Sequence, residues 1–168
     1  MANCINPDEA KTYPGYVLHP FYHAEKMPWA AAIELPLDKI EKIIWVSGHT
    51  GRDPEKDREP RSWQDERAGV GKVVGGIQEQ TTACWMRIKE VLDAVGSDLE
   101  DIFRINYYLV NREDTWDLWE ATEKFWQEYC PDLRENYRAG VLLKGIQLDL
   151  PDMLIEIEVT AAVPRTRK

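Results

Sequence analysis

The chain has 168 residues and a formal net charge of −9 at pH 7, from 21 basic and 30 acidic side chains. This length corresponds to one domain, and the 10 glycines and 10 prolines form no runs, which excludes collagen-like and low-complexity classes. The acidic balance repels phosphate groups at long range, which argues against non-specific binding of nucleic acid.

The first part of the chain is predicted to be mostly irregular. Prolines interrupt residues 1–27, which we interpret as an irregular N-terminal extension with room only for short extended pieces. A strand is predicted over 29–35, and the β-branched and aromatic residues at 43–47 predict a second, buried strand. A strongly polar composition then predicts a long exposed loop over about 51–71.

The second part of the chain alternates helices with strands. Apolar residues from Ile77 to Val95 recur at three- and four-residue steps, which predicts an amphipathic helix that ends at Gly96. The last strand alternates cleanly, with isoleucines on one face and glutamates on the other. The elements predicted after the first helix are a strand over 102–110, a helix over 115–130, and strands over 138–144 and 153–163.

This order of elements predicts a single α+β domain over residues 1–168. The two long helices are expected to cover one face of a mixed sheet. The other face must also bury its apolar residues, and association with further copies of the chain would do so.

Three charged residues near the C-terminus are candidates for chemistry. Glu156 and Glu158 lie about 7 Å apart on one face of a strand, where they are either a solvent-facing edge or carboxylates that orient and deprotonate a water. Arg138 at the start of a strand is either a surface charge or a clamp for a substrate carboxylate, because its planar fork donates two parallel hydrogen bonds.

Other catalytic and metal-binding patterns are missing from the sequence. His19, His23 and His49 have no ligand spacing such as HExxH, so no metal is expected. Ser47 lies in Val-Ser-Gly-His rather than in GxSxG, and Cys84 falls on the apolar stripe of a helix. His49 directly follows a strand, where it either lines a pocket or has a structural role.

A cytoplasmic location is expected from the rest of the composition. No apolar stretch approaches the roughly 20 residues that a membrane-spanning helix needs, so no membrane partner is expected. The first ten residues lack the basic and apolar regions of a secretory signal. The 3 cysteines are widely spaced without a CxxC pair, which fits a reducing compartment.

Several segments, in this order and spacing, resemble the Rid group (reactive intermediate deaminases, the YjgF-type proteins) over residues 28 to 163. The resemblance implies a chorismate-mutase-like α+β fold that assembles as a homotrimer, with active clefts between subunits. The segments that carry it are Ile44-Trp45-Val46-Ser47-Gly48-His49 followed by Asp53-Pro54, the helix and turn from Gln78 to Ile102, and Arg138-Ala-Gly, Leu150-Pro151-Asp and Ile155-Glu156-Ile157-Glu158.

The resemblance also implies hydrolysis of enamines or imines to ketones and ammonia, without metal or cofactor. Arg138 matches the arginine that binds the substrate carboxylate, and Glu156 matches the acidic residue that positions the attacking water. Trp29 and Ser47 match positions that line the pocket. His49 and Gly140 are predicted as further substrate-binding residues.

Departures from the family pattern bear on the substrate. The segment between Arg138 and Leu150 is about four residues longer than usual, and Gly140 stands where a cysteine is common. We therefore expect either a small 2-aminoacrylate-like imine or a bulkier, aminomuconate-like one. Another pathway-specific hydrolase using the same cleft, an endoribonuclease and a non-catalytic ligand-binding trimer remain the alternative functions.

Overall fold

The computed structural model describes residues 11–13, 16–20, 30–52, 73–131 and 138–165. Within these ranges the chain forms seven strands and two α-helices. The predicted polar loop lies outside them from residue 53 onward, as does Trp29. The elements are β1 (Lys11–Tyr13), β2 (Tyr16–Pro20), β3 (Ala30–Glu34), β4 (Ile40–Thr50), α1 (Ile77–Ala94), β5 (Ile102–Leu109), α2 (Thr115–Tyr129), β6 (Ala139–Lys144) and β7 (Ile155–Pro164).

The strands form two sheets. Strands β1, β2 and β3 make an antiparallel sheet, so the described part of the extension over 1–27 consists of two short strands. The main sheet has the order β4-β7-β5-β6, with β5 and β6 parallel and the other pairs antiparallel. This mixed sheet with two helices confirms the predicted α+β class.

Both helices contribute to the core on one face of the main sheet. The isoleucines of β7 at 155 and 157 are fully buried there together with Ile105, Tyr107 and Leu109 of β5. Trp85 of α1 lies in the middle of this core, and its Nε1 donates a hydrogen bond of 3.2 Å to the Thr122 hydroxyl of α2. The alternation read from the sequence therefore identifies the inner face of the sheet correctly.

The opposite face of the main sheet, which we call the open face, exposes large apolar side chains at both edges. Trp45 on β4 is 75% exposed, and Val141 and Leu143 on β6 are 44% and 48% exposed. The cross-strand partners of these three residues, on the same face, are polar residues of β5 and β7. Apolar side chains exposed on a sheet face are typical of surfaces that associate with another chain.

Strand β4 is longer than predicted because it contains an irregularity. Its register with β7 shifts between Val46 and His49, so Ser47 and Gly48 are taken up as a bulge without ending the strand. The predicted strand over 43–47 is therefore too short. The bulge lies beside the glutamates of β7.

Candidate functional site

The bulge of β4 brings the backbone of Gly48 against Glu156. A Cβ atom added at Gly48 would lie only 1.7 Å from Glu156 Oε1 and 2.6 Å from its carboxyl carbon. In the sheet, Glu156 is paired with Thr50 on one side and Tyr108 on the other. The carboxylate of Glu156 therefore rests on a strand surface that has no side chain at this point.

The environment of Glu156 favours its protonated form more than water does. The side chain is half-buried, and this burial, followed by the nearby negative charge of Glu158, raises the pKa of Glu156 above its ordinary value. A carboxyl group with a raised pKa exchanges protons more readily near neutral pH. Glu156 is therefore suited to accept a proton from water and to return it.

Gln80 on α1 fixes the chain that leads into β7. Its Nε2 donates to the carbonyl of Asp152 at 2.9 Å, and its Oε1 accepts from the amide of Leu154 at 2.8 Å. Gln80 is buried, so these bonds are shielded from water. The first residues of β7, including Glu156, are thereby anchored to the N-terminal end of α1.

Arg138 lies on the helix side of the sheet. It is only 2% exposed, and its positive charge acts on Tyr107 and Cys130, lowering the pKa that burial raises in both groups. Gly140, two residues later, pairs with Ile105, whose side chain faces the same core. The backbone carbonyl of Arg138 accepts a hydrogen bond of 3.1 Å from the amide of Ala30, the residue that follows Trp29.

Within one chain, Arg138 and Glu156 lie far apart. Glu156 pairs with Tyr108, which pairs with Leu143, and Arg138 precedes Leu143 by five residues. At about 3.3 Å per residue this is roughly 16 Å along the strands, in addition to roughly 10 Å across two strand spacings. The two side chains also leave the sheet on opposite faces, so a single chain provides two separated halves of the predicted site.

The remaining predicted site residues divide between the two faces. Ser47 is exposed in the bulge beside Glu156. His49 pairs with the buried Ile157 and so points toward the helices, where burial and then the charge of Arg87 lower its pKa. Gly140 is half-buried, and a Cβ there would lie 1.7 Å from the Ile105 carbonyl oxygen, so the cysteine common at this position does not fit this backbone.

Sequence reasoning missed Gly48 and Gln80 as supports of the site. Gly48 lies in the segment from Ile44 to His49 that carries the family resemblance, but its contact with Glu156 depends on a register shift between strands distant in sequence. Gln80 interrupts the apolar stripe of α1 with a buried polar side chain. A polar residue at a core position of a helix was the signal that could have identified it.

The described residues carry no group of three or more His, Cys, Asp or Glu side chains that could hold a metal ion. Among the helices of these residues, none has the length and apolar character needed to cross a membrane.

The contact between Gly48 and Glu156 makes a testable prediction. In Gly48→Ala the new methyl group should displace the carboxylate of Glu156, because the atoms in its way belong to the end of that side chain. We expect kcat for the reaction of this site to fall by about tenfold or more, since small misplacements of a catalytic group are costly. The thermal unfolding temperature should change little. Full activity in Gly48→Ala would place the reaction away from Glu156.

The sequence is similar to one family profile and to several known proteins. A family profile described as "Endoribonuclease L-PSP" matches residues 24–163. The protein mmf1, mitochondrial, of Schizosaccharomyces pombe is 34% identical over 92 residues, which are 54% of this chain and 54% of that protein. A 2-iminobutanoate/2-iminopropanoate deaminase of Rattus norvegicus is 23% identical over 123 residues, 73% of this chain and 80% of that protein.

A solved structure shares the fold. The Rid-family protein YyfB of Yersinia pestis, whose function is described as unknown, superposes with a TM-score of 0.58 at 23% identity. The superposition covers 83% of this chain and 94% of that one.

Proposed function

The chain belongs to the Rid family, and from this premise we propose that it is a hydrolytic deaminase. Its substrate would be an enamine or imine that carries a carboxylate, and its products the keto compound and ammonia. The observation that carries the proposal is the half-buried Glu156, whose raised pKa and contact with Gly48 equip it to hold and deprotonate a water. The similarity to the rat 2-iminobutanoate/2-iminopropanoate deaminase supports the same reaction.

We propose that two copies of the chain complete each active site. Arg138 and Gly140 from one copy would face Glu156 and Ser47 from the next. Arg138 and Glu156 are too far apart within one chain to hold one substrate, so a site that uses both needs a second copy. It also needs an opening beside Arg138, which is 2% exposed in one chain. The exposed apolar side chains of the open face, Trp45, Val141 and Leu143, support association of copies, which the resemblance implies to be a homotrimer.

Within this site Arg138 would bind the substrate carboxylate. A guanidinium forms two parallel charge-assisted hydrogen bonds with a carboxylate, which fixes the substrate in position and orientation. Because the chain carries a net charge of −9, a local positive group is needed to hold an anion. Orientation alone lowers the barrier to attack by a nearby water.

Glu156 would then transfer protons in two steps. Its carboxylate takes a proton from water while the water oxygen bonds to the carbon of the protonated imine, and the C=N π electrons move to nitrogen. The resulting carbinolamine accepts that proton on nitrogen from Glu156, and the C–N bond breaks as the hydroxyl oxygen forms the carbonyl. The hydroxyl proton is lost to the released ammonia, so that iminium and water give ketone and ammonium.

The other predicted residues would line the same cleft. Ser47 lies beside Glu156 in the bulge, and Trp29 precedes Ala30, whose amide is bonded to the Arg138 carbonyl. Gly140 would line the cleft beside Arg138, where the lack of a side chain allows close approach of the Ile105 carbonyl, and His49 would contribute from the helix side. The name of the rat relative favours small 2-imino acids as substrates, ahead of the bulkier aminomuconate-like class.

The test uses an imine generated in the reaction vessel by an amino-acid oxidase or a dehydratase. We expect the purified chain to accelerate ammonia release above the spontaneous rate. No acceleration with either small or bulky 2-imino acids would contradict the deaminase proposal.

An endoribonuclease is the second candidate, because the matching family profile carries that description. Incubation with single-stranded RNA at low salt distinguishes the two functions. The deaminase proposal predicts that the RNA is not cleaved, or that any cleavage is unchanged when Arg138 is replaced. A non-catalytic ligand-binding trimer would bind a 2-keto acid without turnover of the imine, and another hydrolase would act on a different carbon centre in the same cleft.

The cytoplasmic location remains part of the proposal. The described cysteines, Cys84 and Cys130, are free and buried, which is compatible with a reducing compartment. A relative named as mitochondrial makes fractionation of cells the direct measurement.

A further inference from the structure

Two side chains of β5 hold the second glutamate of β7 in place. Asn106 Nδ2 donates a hydrogen bond of 3.1 Å to Glu158 Oε1, and the Tyr108 hydroxyl donates one of 3.1 Å to Glu158 Oε2. Both oxygens of the carboxylate thus have a fixed partner. Asn106 is 4% exposed, so one of the two bonds comes from a donor that is shielded from water.

We infer that Glu158, held by Asn106 and Tyr108, is a positioning residue that keeps a fixed negative charge beside Glu156 so that Glu156 can return its proton to the leaving ammonia. This inference rests on the proposed deaminase function and assigns a role to three residues that the proposed proton transfers do not use. Glu158 itself does not touch the reacting atoms, since its two oxygens are directed toward β5.

The register of the sheet explains why this charge acts on Glu156. Glu156 and Glu158 are two residues apart on one strand face, roughly 7 Å. Tyr108 is the cross-strand partner of Glu156 and at the same time the hydrogen-bond donor to Glu158. A movement of Glu158 would therefore disturb the strand position directly opposite Glu156.

Three other titratable groups lie on the elements packed against β7 in the described residues, and in each the change of pKa favours the neutral form. On β5, burial and the hydrogen bond to Glu158 raise the pKa of Tyr108. On β4, burial and Arg87 lower the pKa of His49, and Glu90 opposes that change. On α1, burial raises the pKa of Cys84, with a further contribution from Glu156 itself. Glu158 therefore supplies the charge that acts on Glu156 from within this group.

The role matters in the second proton transfer. A carboxylate isolated in water is a weak acid catalyst at neutral pH because it is almost wholly ionised. A neighbouring negative charge makes the protonated form of Glu156 less acidic, so the proton taken from water is retained until the amine nitrogen accepts it. Burial alone contributes in the same direction, and Glu158 adds to it.

The test compares Glu158→Gln with Glu158→Asp and with Glu120→Gln. The first substitution removes the charge with little change of shape, and the second keeps the charge. The third removes an exposed carboxylate on α2 that is paired with Lys124. The ¹³C chemical shift of the Glu156 carboxyl group, titrated in the assembled protein, reports the proton affinity without any need for turnover.

In Glu158→Gln we expect Glu156 to titrate at lower pH, and the acidic limb of the kcat/KM profile to move to lower pH with it. We expect kcat at pH 7 to fall by about tenfold while KM changes little, because only the proton transfer is weakened. Glu158→Asp should keep most of the wild-type profile, and Glu120→Gln all of it. An unchanged titration of Glu156 in Glu158→Gln would overturn the inference.

These outcomes separate the inference from the function on which it rests. A wild-type protein that releases no ammonia contradicts the deaminase proposal. An active wild-type protein in which Glu158→Gln leaves both the carboxyl titration and the pH profile unchanged contradicts the inference alone.

Discussion

Replacing Glu156 by glutamine is expected to lower kcat for imine hydrolysis by about 10²- to 10⁴-fold, the range that general acid–base catalysis contributes. The glutamine keeps the shape that rests against Gly48 but can no longer accept a proton from water. KM should change by much less, because the substrate carboxylate would be held by a different residue. Ammonia release under saturating imine measures the effect.

The matched control for this substitution is Glu120→Gln, which removes one exposed carboxylate from α2. Both variants should unfold at nearly the wild-type temperature. A Glu156→Gln protein with wild-type kcat would remove Glu156 from the reaction.

Replacing Arg138 by alanine is expected to lower kcat/KM for carboxylate-bearing imines by about 10²-fold or more, because a bidentate charge-assisted contact is lost. Arg138 is 2% exposed, so alanine also leaves a cavity and will reduce the free energy of unfolding. Arg138→Met separates the two effects, since methionine fills more of the space without charge. It should lose as much kcat/KM as the alanine variant while unfolding at a higher temperature.

A substrate without a carboxylate provides the control for this prediction. Wild type and Arg138→Met should hydrolyse such an imine at similar rates, because this substrate has no carboxylate for Arg138 to bind. If Arg138→Met were equally impaired with this substrate, Arg138 would act through the fold rather than through the carboxylate.

The sequence predicted the elements of the main sheet and the side of it that is buried. The alternation of Ile155 and Ile157 with the glutamates, and the stripe of α1, follow from local periodicity that each element carries by itself. These signals correctly gave the α+β class. The ends of β4 were predicted less well, because the bulge at Gly48 depends on pairing with β7.

The residue types of the candidate site could be predicted from the sequence, but their arrangement in space could not. Arg138 and Glu156 were identified from their positions and from the resemblance, yet their placement on opposite faces depends on the register between β5, β6 and β7. The aromatic residues show the same limit, since Trp85, Trp119 and Trp126 lie in or against the core. A large aromatic side chain suits a core and a pocket equally, so its type alone does not distinguish them.

The central claim is that each active site joins Arg138 of one copy to Glu156 of another. The direct test mixes Arg138→Met and Glu156→Gln proteins, unfolds them together and refolds them. With equal amounts of the two variants, half of the copies keep the arginine and the other half keep the glutamate. Random association therefore gives both intact residues to about a quarter of the sites, and about a quarter of wild-type activity should return. A mixture no more active than the two variants measured separately would contradict the claim and place both residues' functions within one chain.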